Sequence, residues 1–270
     1  MRWIDWVTSA LLMEVAVDKP GNVSPRHRFH DAGMQEFTRS AFAIGKVLQK
    51  SCEDRCSYGY AVYQAVSASL DATGGVNVHL GAILMVTPLV LGFEKDWRQG
   101  VANILQNITV EDTDWVFRAI AAARPGGLNQ HDGVLDDVRR PASRPLLAVF
   151  SEASRYDSIA REYTRKFSSI FYDWSPQLEQ AVNRGQSWDV AIYSLFLSRL
   201  SQEPDSLWIR KNGWNAAQAR HRLVQKAIVD GALERLPDLL EDPDNRWNPG
   251  TTADLIAASI LVALVEGDTP

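Results

Sequence analysis

Apolar residues recur at intervals of three and four positions along most of this 270-residue chain, which is the spacing that places them on one face of an α-helix. Alternating apolar and polar residues bounded by hairpin turns, the pattern of half-buried β-strands, are not found convincingly anywhere. The sequence therefore predicts an all-α fold, a multi-helix bundle with functional loops at helix ends. No composition shift, internal repeat or low-complexity stretch marks a boundary, so residues 1–270 are predicted to form a single domain.

Eleven segments carry the helical pattern strongly enough to be predicted as helices. They are 2–17, 33–50, 58–72, 81–92, 112–123, 143–154, 157–171, 175–184, 188–200, 214–231 and 252–266. Three stretches between them, 18–31, 73–80 and 124–145, are dense in Gly, Pro, Asn and charge. In a helical protein such loops are natural places for function.

Charge and composition limit the class of partner. The formal net charge of -5 supplies no long-range attraction for nucleic acid or for an anionic membrane, so we expect a small-molecule ligand rather than either of these. Nine tryptophans and an apolar content of 46% would also suit an oligomer interface such as that of a homodimer.

The apolar segments indicate a cytoplasmic protein. Asp5 and Glu14 interrupt the N-terminal apolar stretch, which therefore does not read as a secretory signal. The longest apolar runs, 81–93 and 255–265, are shorter than the about 20 residues that a membrane-spanning helix needs.

The first predicted helix carries a carboxylate on its apolar face. On a helical wheel Trp3, Val7 and Ala10 share one stripe, and Glu14 falls near the middle of it. A buried carboxylate is costly unless a cation neutralises it. Two interpretations stay open: an ion pair with a core Lys or Arg, or a place in a binding site.

A basic loop follows this helix. The segment "DKPGNVSPRHRFH" at 18–30 delivers Lys19, Arg26, His27, Arg28 and His30. This density of positive groups suits a polyanionic ligand, although a solvated basic loop would have the same composition.

A second loop combines two glycines with polar side chains before a long apolar helix. In "DATGGVNVHLGAILMVTPLV" at 71–90, Gly74 and Gly75 let the backbone turn and approach a ligand without a Cβ. The free N–H groups at the start of the next helix attract negative charge, and Asn77 and His79 would add hydrogen bonds. The loop predicts a phosphate cradle, but a Gly-Gly pair is also typical of an ordinary turn.

Together these stretches resemble the triphosphoribosyl-dephospho-CoA synthase family, whose members carry a Lys-Pro-Gly-(Asn/Leu)-Val segment and an Asn-Thr-His-Lys-Gly or similar loop. The matching segments lie in the expected order over nearly the whole chain. They are "KPGNV" at 19–23, "GGVNVHLGAI" at 74–83, "DVR" at 137–139, "YDSIAREYTRKF" at 156–167, "PDSLWIRKNG" at 204–213 and "NPGTTADLIAAS" at 248–259.

The resemblance implies an all-helical nucleotide-binding transferase that takes ATP and 3'-dephospho-CoA or a related acceptor. It joins the triphosphoribosyl unit to the ribose 2'-hydroxyl of the acceptor and expels adenine. The product is similar to a precursor of the prosthetic group of citrate or malonate lyase carrier proteins.

This reaction suggests roles for the singled-out residues. Breaking an N-ribosyl bond develops charge that a carboxylate and a proton donor can offset, and a triphosphate calls for Mg²⁺ held by oxygen ligands. We expect Glu14 and His79 to be catalytic and Glu14 and Asp71 to bind Mg²⁺. The nucleotide-binding candidates are Lys19, Gly21, Asn22, Gly74, Gly75, Asn77, Asp137, Arg139, Arg210 and Lys211. With Lys19 in that role, Lys19→Ala should weaken nucleotide binding and leave thermal unfolding nearly unchanged.

Several points stay open at this stage. Val78 and Leu80 stand where the family loop has Thr and Lys, which leaves the acceptor undecided. Asp254 fits either a helix cap, as the last residue of a capping-box pattern, or a site residue. A Mg²⁺-dependent N-ribosyl hydrolase and a non-catalytic nucleotide-binding or scaffold protein are the alternative functions.

Overall fold

The computed structural model describes residues 2–126 and 138–268. Within these two ranges the secondary structure consists of fourteen α-helices, one π-helical turn and one 3₁₀ turn, with no strand. The all-α prediction is therefore confirmed.

The helices are short to medium in length and follow one another closely. Their bounds are α1 Trp3–Ala16, α2 Met34–Glu53, α3 Tyr58–Thr73, α4 Leu80–Leu91, α5 Trp97–Gln106, α6 Val110–Ala123, α7 Leu146–Ala153, α8 Ser158–Thr164, α9 Ser175–Asn183, α10 Trp188–Gln202, α11 Ser206–Asn212, α12 Trp214–Val229, α13 Leu236–Leu240 and α14 Gly250–Asp268. The π-helical turn is Ile170–Trp174, and the 3₁₀ turn is Leu233–Arg235.

Helices α4 and α14 form the centre of the core. Both are apolar on all sides, as expected of helices that are surrounded by other helices, and residues 82–90 of α4 are all buried. The two helices pack on each other, and α14 also contacts α1, α9 and α10. Helices α1, α2, α3 and α6 pack in sequence against one another. This arrangement brings the start of α4 and the start of α14 close together.

Helix α14 is longer than the apolar run at 255–265 because it begins at Gly250. An 18-residue window at Gly250–Gly267, with a mean hydropathy of 1.4, is long and apolar enough to cross a membrane by length and composition. In this structure 67% of that window is buried inside the protein. Its place is that of a core helix.

Candidate active site

A cavity of about 590 Å³ lies at the ends of several helices, within the size range of small-molecule sites. Asn22 and Val23, from the loop after α1, line it together with residues 75–82 from the loop between α3 and α4. The segments 19–23 and 74–79, which the sequence analysis expects to share one site, therefore meet at the same cavity.

Two kinds of side chain line the cavity. The aromatic and larger aliphatic ones include Phe29, Phe37, Leu84, Phe117, Ile120, Val149 and Phe150. The charged, imidazole and amide ones are Glu14, Asn22, His30, Asp31, Asn77, His79, Arg124, Asp157, Arg210, Lys211, Asp244, Asn245, Asn248 and Asp254. A few polar groups set in a largely apolar wall are typical of a site that orients a specific ligand.

Glu14 reaches this cavity from α1, where its side chain is 7% exposed. The Lys19 ammonium lies 3.0 Å from Glu14 Oε1, although the contact lacks hydrogen-bond alignment. Lys19 Nζ also donates hydrogen bonds to the carbonyl oxygens of Glu14 and, at 3.0 Å, Val17. The ion pair with a core lysine and the place in the site, which the sequence left as alternatives, are both present.

Lys19 itself does not line the cavity, and its side chain is fully buried. Its ammonium holds the end of α1 and the Glu14 carboxylate. The structure therefore does not support the prediction that Lys19 contacts phosphate, because a buried, already paired ammonium is not available to a ligand in the cavity.

Gly21 and Asn22 of the same loop differ in role. Gly21 adopts a positive φ of +79°, and a Cβ there would lie 2.8 Å from Leu240 Cβ. Gly21 thus permits close packing against α13 and does not line the cavity. Asn22 does line it, and its buried Nδ2 has no hydrogen-bond partner among the described residues. Such a group is placed to bind a ligand, since a buried donor without a partner is costly.

The glycine turn is only partly a cradle. Gly74 closes α3 in the left-handed conformation with a φ of +69° and does not line the cavity, whereas Gly75 does. Asn77 Oδ1 accepts a hydrogen bond of 3.2 Å from the backbone N–H of Leu80. Asn77 lies two residues before the N-cap residue His79 and therefore satisfies one of the free N–H groups of α4 in addition to facing the cavity.

His79 is buried at the start of α4, where its Nδ1 lies 2.7 Å from Ser40 Oγ. Ser40 Oγ in turn lies 2.7 Å from Ser69 Oγ. Burial lowers the pKa of His79 to about 3, so the imidazole is neutral at physiological pH. Its Nε2 is buried and has no partner in the described part of the chain. His79 can form a hydrogen bond to a ligand, but it is not an imidazolium acid.

The N-terminus of α4, the predicted position of a phosphate, faces the carboxyl group of Asp254. A Cβ on Gly81 would lie 2.0 Å from Asp254 Oδ2, so the absence of a side chain at position 81 lets Asp254 approach the helix. The backbone of Ala82 also lies near the Asp254 carboxyl.

Asp254 does not cap its own helix. The N–H and hydroxyl of Thr252 both donate to Asp205 Oδ2, each at 2.7 Å, so Asp205 supplies the cap. Asp254 faces the cavity instead. Its enclosure in the protein, followed by the neighbouring carboxylates of Glu14 and Asp205, raises the pKa of Asp254 well above its ordinary value.

Two predicted phosphate ligands do line the cavity. Arg210 forms an ion pair with Asp157, with Nη1 2.8 Å from Oδ2. Lys211 Nζ donates to the carbonyl oxygen of Asn245 at 2.6 Å and to Asn248 Oδ1 at 3.0 Å. Burial, and then the charge of Arg210, lower the pKa of Lys211.

The remaining predicted residues lie elsewhere. Asp71 is exposed on α3, and Arg139 is exposed in a turn; neither lines the cavity. Asp137 lies outside the described residues. The ranges 2–126 and 138–268 contain no group of three His, Cys, Asp or Glu side chains that could hold a metal ion. The structure therefore does not support the prediction that Glu14 and Asp71 together bind Mg²⁺.

Several cavity residues were missed or left undecided by the sequence analysis: Arg124, Asp157, Asn248 and Asp254. Three of them lie in segments that carry the family resemblance, so the segments were found without the individual residues. Arg124 ends α6 in the left-handed conformation, with a φ of +45°. No signal in the sequence distinguishes it from other surface arginines.

Comparisons with known proteins give a similar solved structure and a matching family model. A solved structure from Archaeoglobus fulgidus that carries the provisional name triphosphoribosyl-dephospho-CoA synthase is 27% identical, with a TM-score of 0.66 over 84% of this chain and 98% of that chain. Comparison with curated proteins gives no match. The family model for CitG, described as ATP:dephospho-CoA triphosphoribosyl transferase, matches residues 2–270. Because this match spans nearly the whole chain, the protein belongs to the CitG family of ATP:dephospho-CoA triphosphoribosyl transferases.

Proposed function

We propose that the cavity is the active site in which this protein transfers the triphosphoribosyl group of ATP to 3'-dephospho-CoA and releases adenine. One observation carries this assignment. Each of the six segments on which the family resemblance rests contributes at least one residue to the cavity wall. Segments spread from residue 19 to residue 259 converge on one place, as expected if they share a ligand.

Three cations in the cavity wall suit a triphosphate. Arg210 and Lys211 are neighbours on α11, and Arg124 adds a third cation from the end of α6. Guanidinium groups bind phosphate oxygens through two parallel hydrogen bonds. We assign the phosphates to these cations and the adenine ring to the aromatic side chains Phe29 and Phe37.

Glu14 and His79 suit the bond exchange. As the N-ribosyl bond breaks, positive charge develops on the anomeric carbon, and a carboxylate beside it lowers the energy of that state. Glu14 can also accept the proton of the attacking 2'-hydroxyl. His79 is held neutral by burial. It forms a hydrogen bond to the ligand through Nε2 and does not act as a proton donor in the reaction.

We propose that ATP enters as its Mg²⁺ complex. Glu14 is paired with Lys19, and Asp71 lies outside the cavity, so these residues do not fit the role of a protein-based magnesium site. Mg²⁺ often keeps several waters and is held largely by substrate phosphates. Because ATP and a CoA precursor are cytoplasmic metabolites, we place the protein in the cytoplasm.

The direct test is incubation of the protein with ATP, Mg²⁺ and 3'-dephospho-CoA, followed by mass analysis. We expect free adenine and a product that carries one added triphosphoribosyl group. Adenine release without the acceptor would show that the protein is an N-ribosyl hydrolase. ATP binding without any adenine release would identify a non-catalytic binding protein.

A pair of arginine variants tests whether this cavity is the site. Arg210→Gln should weaken ATP binding by about 10- to 100-fold, the effect of losing a hydrogen bond to a charged group. Arg222→Gln on the exposed face of α12 is the matched control and should bind ATP as the parent protein does. Equal affinities of all three proteins, measured by calorimetry, would place the nucleotide elsewhere.

A further inference from the structure

We propose that Asp254 is the acid that protonates adenine as it leaves. This inference rests on the proposed function and adds a second carboxyl group, with a role opposite to that of Glu14, to the same cavity.

The position of Asp254 is built by its neighbours. Gly81 leaves a gap that the carboxyl fills, since a Cβ there would lie 2.0 Å from Oδ2. The backbone of Ala82 also lies near this carboxyl, and its influence lowers the pKa of Asp254. Because α4 and α14 pack on each other in the core, these neighbours hold the side chain in one place. The carboxyl group is therefore fixed inside the cavity.

Asp254 and Glu14 share one enclosed space but have different partners. Glu14 lies against the ammonium of Lys19, whose Nζ is 3.0 Å from Glu14 Oε1. Among the described residues no ion pair of Asp254 is formed. The groups that act on its carboxyl are Glu14 and Asp205, which raise its pKa, and Arg210, which lowers it but forms an ion pair with Asp157. When two carboxyl groups share a site, the one without a cation keeps its proton.

The groups that face Asp254 from other helices support this division. Glu14 from α1 and Asp205 from the start of α11 both disfavour a negative charge on Asp254, while Arg210 of α11 favours it. The influence of Arg210 on Asp254 is weakened because its guanidinium forms an ion pair with Asp157 at the start of α8, with Nη1 2.8 Å from Oδ2. His79 at the start of α4 is neutral. The pKa of Asp254 is accordingly raised.

The cavity that holds the two carboxyls also contains hydrogen-bonding groups without a partner in the ranges 2–126 and 138–268. Asn22 Nδ2 and His79 Nε2 are buried and have no partner within the described residues. Both residues line the cavity with Asp254. These groups point to a polar ligand in this part of the cavity rather than to a sealed structural cluster.

The proposed step balances as follows. The bond between the anomeric carbon and the adenine nitrogen breaks, and its electron pair stays on adenine. The proton of Asp254 moves to a ring nitrogen of adenine, which leaves as the neutral base. The 2'-oxygen of dephospho-CoA bonds to the anomeric carbon, and its proton passes to Glu14. Solvent exchange then returns a proton to Asp254 and removes one from Glu14.

The test compares Asp254→Asn with Glu14→Gln in the full-length protein. Asparagine has nearly the shape of a protonated aspartate and is also uncharged, so D254N should keep ATP affinity within about threefold. Its turnover should fall by about 100-fold or more, the usual effect of losing a general acid. Parent activity should decline at alkaline pH as Asp254 loses its proton, and this decline should be absent from the residual activity of D254N. Glu14→Gln should lose turnover but keep the alkaline decline.

Infrared spectroscopy provides a second readout that does not depend on turnover. The parent protein at pH 7 should show the C=O stretch of a buried protonated carboxyl, and D254N should lack it. If D254N does not fold, Asp254→Glu serves instead and should retain partial turnover together with the alkaline decline.

The outcomes separate two failures. If the parent transfers no triphosphoribosyl group, the proposed function is wrong, whereas the infrared band still reports on Asp254. If the parent is active, any of four results overturns the inference. The turnover of D254N could be reduced less than 100-fold, or its loss of turnover could be explained by weaker ATP binding. D254N could also keep the alkaline decline in activity, or the parent could lack the infrared band.

Discussion

Replacement of Lys19 by methionine should destabilise the protein strongly. The structure buries this side chain completely and places its ammonium 3.0 Å from a Glu14 carboxylate that is itself 7% exposed. Methionine fills similar space but leaves Glu14 as a buried charge without its cation. Removing one partner of a buried ion pair costs about 3–5 kcal/mol.

The expected change in melting temperature follows from this free energy. For a protein of this size, 1 kcal/mol corresponds to about 2–4 °C, so Lys19→Met should lower the Tm by roughly 6–20 °C. The double variant Lys19→Met, Glu14→Gln removes the uncompensated charge. It should recover most of the loss and retain a deficit of about 1 kcal/mol for each carbonyl oxygen that loses its donor.

The free energy of interaction between Lys19 and Glu14 is measured by a double-mutant cycle. The parent, Lys19→Met, Glu14→Gln and the double variant are compared by differential scanning calorimetry and by urea unfolding. The structural interpretation would be refuted if Lys19→Met melted within about 2 °C of the parent and bound ATP at least tenfold more weakly. A tenfold loss of affinity corresponds to roughly 1.4 kcal/mol of binding free energy. That result would restore the phosphate contact predicted from the sequence.

Two further predictions concern the start of α4. Asn77→Ala should destabilise the protein by about 0.5–1.5 kcal/mol through loss of the hydrogen bond that Asn77 accepts from the Leu80 N–H. Asn77→Asp should keep this bond but weaken ATP binding. Equal Tm values for both variants would refute the stabilising role of the bond. For His79, burial holds the pKa at about 3, below the ordinary 6.5, so the unfolded state takes up the proton first and stability falls as pH drops from about 6.5 toward 3. Between pH 7 and pH 5.5 the parent should lose about 1 kcal/mol that His79→Asn does not lose; parallel urea-unfolding curves at the two pH values would show that His79 titrates normally.

The fold was predictable where helices are long and strongly patterned. Helices α2 and α14 were predicted to within a few residues. Helix α5 was missed because Gly100 interrupts its pattern, yet a Cβ at that position would lie 2.0 Å from the Gly92 carbonyl oxygen. Close packing of α4 and α5 therefore outweighs the poor helix propensity of glycine.

The predicted single helix over 157–171 was wrong. Helix α8 ends at Thr164, and Lys166 and Phe167 adopt positive φ angles of 54° and 59°. The chain then enters the π-helical turn at Ile170–Trp174. Phe167 is fully buried, so burial of this aromatic ring outweighs an unfavourable backbone conformation. The spacing of apolar residues in the sequence does not reveal that burial of the ring opposes the helical backbone conformation here.

The candidate site was predictable as a set of segments but not as a set of contacts. Lys19 and Arg210 were both predicted to bind phosphate, but Lys19 is buried at the end of α1 whereas Arg210 lines the cavity. Whether each cation is buried or lines the cavity depends on which carboxylate lies next to it in the folded protein. Likewise, a sequence cannot reveal that the gap beside Gly81 accommodates a carboxyl from a helix that begins about 170 residues later.

The position of Asp254 changes the meaning of the loop between α3 and α4. This loop carries Val78 and Leu80 where the family pattern named in the sequence analysis has Thr and Lys, a hydroxyl and a cation. If the phosphates lay at the start of α4, these departures would remove ligands. Asp254 occupies that helix terminus, and a triphosphate beside its carboxyl would be repelled once that group ionised. The phosphates are therefore better placed near Arg210 and Lys211, where loss of a loop cation costs no phosphate contact.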